Sequence, residues 1–87
     1  MGQAMYKLIS DPGHGWLEVT RAELEALNLL DKISRYSYQR DALVYLEEDC
    51  DAPVFVEAKK LRGEPLEVRE EHQENTFIRS LAPFERG

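Results

Sequence analysis

Cys50 is the only thiol in this 87-residue chain, and it stands inside the run Glu47-Glu48-Asp49-Cys50-Asp51. It immediately precedes an expected helix start, where the dipole and free N–H groups lower a thiol pKa. The four flanking carboxylates act the other way, because nearby negative charge disfavours thiolate. Four unit charges outweigh about half a charge of helix dipole, so Cys50 is expected to be chemically quiet. His14 lies between Gly13 and Gly15 and beside Trp16. Close backbone access and a titratable ring there suit ligand binding or proton transfer, although a loop histidine is more often a polar turn residue. His72 is the other histidine, and no HxxxH-type spacing relates the two, so no metal site is expected. The acidic run is too short for a calcium loop, which needs about twelve residues and a glycine at its bend. A carboxylate pair for glycoside chemistry needs a cleft with the two groups ~5–9.5 Å apart, and a chain this small can hardly shape one. There is no phosphate-cradling glycine pattern and no nucleophile elbow. The expectation is a protein without catalytic activity, cofactor or metal.

Tyr36, Tyr38 and Tyr45 fall on adjacent expected strands. They could stack on bases, but cross-strand packing is the better account, because acid surrounds them. The formal charge of −6 is unevenly placed: residues 1–40 balance at five acids and five bases, whereas residues 41–74 carry eleven acids and four bases. Phosphate binding needs a basic patch, so direct nucleic-acid binding is not expected. A partner with a basic surface is compatible with this charge. The plain alternative is a solvated acidic surface that keeps the protein soluble.

The elements that position these residues follow from spacing. With 43% apolar and 32% charged residues the composition is globular, and the length allows one core and one domain, residues 5–87. Met1–Ala4 carries no pattern and is expected as a frayed end or an expression leftover. Met5–Ile9 reads as a strand and Trp16–Val19 as its return. The turn between them places Pro12 and Gly13 as a type II turn requires, with φ > 0 at Gly13. Thr20 and Glu23 form a capping box for a helix expected over 21–30. Arg35–Tyr38 reads as a third strand, 39–41 as a turn, and Ala42–Glu48 as a central fourth strand, apolar on both faces. Asp51 is expected to cap a second helix over 52–62, with Pro53 in its first turn. Val54, Phe55, Ala58 and Leu61 form its buried stripe, and Gly63 ends it. Leu66–Glu70 alternates as a fifth strand, and Phe77, Ile78, Leu81 and Phe84 must dock somewhere. The expected fold is therefore α+β, in the order ββαββαβ, a mainly antiparallel sheet with both helices on one face. The other face, carrying Ile9 and Trp16, would stay open and could pair two copies into a dimer. No apolar run approaches the ~20 residues of a membrane span, and a lone cysteine fits a reducing compartment such as the cytoplasm.

The segments Asp11-Pro12-Gly13-His14-Gly15-Trp16-Leu17, Tyr36-Ser37-Tyr38 and Tyr45-Leu46-Glu47-Glu48-Asp49-Cys50-Asp51-Ala52 resemble a group of small accessory proteins carried by bacteriophages and other mobile elements. The resemblance spans about residues 5–60 and brings no catalytic residue with it. It implies an acidic, non-enzymatic protein that binds a host protein. Some such proteins inhibit restriction or CRISPR nucleases by occupying DNA-binding surfaces. On this reading the partner-binding residues are Glu47, Glu48, Asp49 and Asp51 at the end of the fourth strand. Glu67 and Glu71 would continue the charge along the fifth, with His14 and Trp16 beside them.

Overall fold

The computed structural model describes residues 4–64 and 66–87. The strands are β1 (Ala4–Ser10), β2 (Gly15–Thr20), β3 (Tyr38–Arg40), β4 (Leu43–Glu47), apolar on both faces, and β5 (Leu66–His72), which alternates at its start. A two-residue β6 (Ala82–Pro83) completes one sheet in the order β5-β1-β2-β4-β3-β6. All neighbours are antiparallel except β1 and β5, which run parallel. The helices are α1 (Arg21–Ala26) and α2 (Ala52–Leu61), with single 3-10 turns at Leu30–Lys32 and Phe77–Ser80. The fold is α+β, and β4 lies inside the sheet as its two apolar faces require.

Side chains two apart share a sheet face, and this sorts the core into two layers. Tyr6, Leu17, Val19, Val44 and Leu46 pack with Leu24 of α1 and Phe55 of α2, so both helices cover one face. Ile9, Trp16 and Tyr45 point to the other face and pack against Ile78, with Phe77 and Leu81 at the margin. The expectation that this second face is open is therefore corrected. Ile9 and Trp16 are each 2% exposed, because the C-terminal segment returns across them. The polar stretch 73–76 precedes that return, and the apolar residues Phe77, Ile78 and Leu81 sit on and just after a single 3-10 turn, too short a segment for its spacing to tell which face it covers.

Local chemistry explains the other departures. α1 stops four residues early because Asn28 takes φ 58°. The Leu29 N–H then donates to the Leu24 carbonyl and the Asn28 N–H to that of Glu25, a Schellman ending of the kind glycine usually makes. Gly63, at φ 67°, ends α2 in the same way, as expected. The third strand begins at Tyr38 rather than Arg35, and the turn into β4 is Asp41–Ala42, with Asp41 at φ 55°. Gly13 does not have positive φ, so the first turn is not type II. The Asp11 carboxylate organises it instead, accepting from the Gly13 and His14 N–H groups at 2.9 Å each. Leu61 leaves the buried stripe of α2 and is 81% exposed. Val68 is on the helix side of β5, yet it is 47% exposed at that sheet edge. Of the expected frayed end 1–4, Ala4 belongs to β1, and residues 1–3 lie outside the described residues.

Candidate functional site

The β1–β2 turn, the loop before β3, the end of β4 and the C-terminal segment meet at one end of the sheet. Between them lies an open pocket of about 330 Å³, lined by His14, Trp16, Tyr36, Tyr38, Glu47, Asp49, Cys50 and Arg79. Sheet register explains its floor. Glu71, Ile9, Trp16 and Glu47 form one row across β5, β1, β2 and β4. The row spans three strand spacings, about 14 Å. Trp16 therefore sits centrally, with Tyr38 edge-on at 6.2 Å and His14 tilted at 6.1 Å between ring centroids.

Asp11 secures one wall. Its two oxygens accept from Arg79 Nε at 2.6 Å and Nη2 at 3.0 Å, a bidentate pair. That pair holds the guanidinium over the Trp16 ring, 5.2 Å from its centroid. The hydrogen bonds from Arg79, then those from the turn backbone, hold the Asp11 carboxyl well below the usual carboxylate range. The Trp16 Nε1–H is enclosed and has no acceptor among the described residues.

The acidic run divides into two kinds of carboxylate. Asp51 is 2% exposed and makes no side-chain cap on α2, against expectation. It accepts instead from the Ser34 N–H at 3.1 Å, the Ser34 hydroxyl at 2.7 Å and the Ser37 hydroxyl at 2.5 Å. Ser37 Oγ accepts in turn from the Glu47 N–H at 2.9 Å. Asp51 thus ties the loop before β3 to the end of β4. Glu47 is also buried: its Oε1 accepts from the Asp49 and Cys50 N–H groups at 2.8 and 2.9 Å. Its Oε2 faces His14 Nδ1 at 3.5 Å, longer than the ~2.7–3.2 Å of a good N–H···O bond. Glu48 and Asp49 are exposed. The Glu48 carboxylate folds over Gly15, where a Cβ would lie 2.8 Å from Oε2.

His14, Trp16, Glu47 and Asp49 of the expected set line one pocket, and Glu48 lies beside it. Asp51 is withdrawn into the interior. Glu71 stands at the far end of the Trp16 row and accepts from Gln73. Glu67 pairs with Met5, four residues back along the strand and about 13 Å away, with Arg69 and Lys7 side by side between them. The β5 acids therefore make no continuous stripe. Tyr36 and Arg79 are pocket residues that spacing did not identify. Tyr36 is 72% exposed and lies outside any strand, so it is not a cross-strand partner, whereas Tyr38 and Tyr45 are paired directly. Asp11 opens the turn between β1 and β2, and no local signal joins it to Arg79, 68 residues away.

Loss of solvent around the Cys50 sulfur, and then the charge of Glu47, push its thiol up. That direction agrees with a quiet cysteine. No group of three or more metal-ligating side chains occurs among the described residues, and none of the described helices is long and apolar enough to cross a membrane. No family model, no curated protein and no solved structure matches the chain.

Proposed function

We propose that this chain is a non-catalytic protein that binds a basic surface of a host protein, as an inhibitor occupying the nucleic-acid site of a DNA-targeting defence system would. One observation carries the reading. The fold consumes Glu47 and Asp51 internally yet leaves Glu48, Asp49, Glu70, Glu71 and Glu74 exposed, all near the end of the sheet where β1 turns into β2 and β4 and β5 finish. Like charges so gathered repel one another and favour a cationic partner. The resemblance of the DPGHGWL, YSY and YLEEDCDA segments to mobile-element proteins supports the choice of a host defence protein. Dimerisation through an open sheet face has lost its motive. The apolar part of that face is covered, and the rest presents Lys7, Glu18 and Arg69 beside Met5.

The test is a partner recovered from host lysate and titrated across salt concentrations. Glu48→Gln, Glu70→Gln, Glu71→Gln and Glu74→Gln combined should weaken binding and flatten its salt dependence, since exposed charges act through a screened field. Unchanged affinity and salt dependence in that variant would overturn the proposal.

A further inference from the structure

We infer that the pocket between His14, Tyr36, Tyr38, Glu47 and Asp49 receives the guanidinium of an arginine side chain presented by the partner. The inference deepens the reading of a basic partner and rests on it. Glu47 is 7% exposed, and burying a carboxylate is costly unless it is matched by charge and hydrogen bonds. Its Oε1 is matched by two backbone N–H groups, and the Cys50 thiol also hydrogen-bonds the carboxyl, whereas the one basic group facing Oε2 among the described residues is the His14 ring, with Nδ1 at 3.5 Å. Arg79 does not supply the missing cation, because Asp11 already holds it through both oxygens. The charge left over in the pocket is that of Glu47 and Asp49.

The walls suit a planar cation. Aromatic faces attract guanidinium through their quadrupole, and a flat five-donor fork can stack and donate to a carboxylate together. Arg79 already makes a cation–π contact with the Trp16 ring, 5.2 Å from its centroid. Tyr36 leans out of the fold, 72% exposed and with no hydrogen bond from its hydroxyl among the described residues, which leaves its ring available to an incoming side chain. An ammonium would meet the carboxylates but could not stack in the same way.

Trp16 is the only tryptophan and lines the pocket, so its indole N–H resonance and its emission are read free of any other indole. The probes are the tripeptide Gly-Arg-Gly with blocked ends and its citrulline and lysine counterparts, titrated into the full chain. Gly-Arg-Gly should shift the Trp16 resonance saturably, the lysine probe more weakly, and the neutral citrulline probe not at all. Tyr36→Ala and Asp49→Asn should each weaken the arginine probe about two- to fivefold, the range of an exposed cation–π or ion-pair contact. Both residues are exposed, so an unchanged amide spectrum elsewhere will show the fold intact. Equal responses to arginine and citrulline, or to arginine and lysine, would overturn the inference, as would unchanged affinity in both variants. If probe binding fails while the four-glutamine variant still loses the partner, the pocket assignment falls and the basic-partner reading stands. If the probe binds as described while that variant keeps its partner, the reverse holds.

Discussion

Asp51 and Glu48 belong to one acidic run and have opposite roles. The Asp51 carboxylate gathers three donors from Ser34 and Ser37, and Ser37 is itself fully buried. Asp51→Ala leaves those donors without an acceptor, and buried unsatisfied groups cost about 1–3 kcal/mol each. Chemical denaturation should show a loss of about 3 kcal/mol. Glu48→Gln should change stability by no more than about 0.5 kcal/mol, as surface substitutions usually do. The acid run as a whole was legible in the sequence. Its division was not, because the groups that separate the two kinds lie 17 and 14 residues away from Asp51, in the loop before β3. No helical or strand periodicity reaches that far. The same limit explains why Asp51 read as a helix cap: the residue type and the following Ala-Pro are right for one, and only the packed loop diverts its side chain.

The C-terminal segment is the element that alters the molecule most. Ile78 is fully buried and packs with Ile9, Trp16 and Tyr45 across the sheet face that α1 and α2 leave uncovered. Truncating it to alanine removes buried methyl groups and leaves a cavity, which typically costs 2–5 kcal/mol for such residues. Ile78→Ala should destabilise the protein by about 3 kcal/mol and move the Trp16 emission to the red as water reaches the indole. A variant with unchanged emission and stability would show that the segment does not pack there. The two helix endings show how local signals differ in strength. Gly63 announced its left-handed backbone by having no side chain. Asn28, which tolerates that conformation nearly as well, did not stand out among the leucines around it.

At the scale of the whole molecule, Asp11 joins the first turn to the last apolar segment through Arg79 and Thr76. Its carboxyl is held low in the folded protein, chiefly by the Arg79 hydrogen bonds. Its contribution to stability is therefore complete above the unfolded value of about 3.9 and declines as pH falls below it towards the folded value. Denaturation midpoints should drop on acidification below about pH 4. Asp11→Asn should be less stable at neutral pH, with a shallower acid decline, so that the two proteins converge in acid. A constant difference between them from pH 6 to pH 2 would show that the pair does not link the chain ends. The capping box at Thr20 and Glu23 is present as the sequence implied, with Glu23 accepting from the Thr20 N–H at 2.8 Å. So are the hairpin, the central β4, the stop at Gly63 and the α+β class, because each depends on neighbours within a few residues or on which faces of one short segment are apolar. What only the tertiary structure decided is the parallel joining of β5 to β1, the covering of the second sheet face, and which carboxylates remain in solvent. Each of those depends on partners up to 68 residues apart, where side-chain chemistry allows many pairings and the packing of the whole chain selects one.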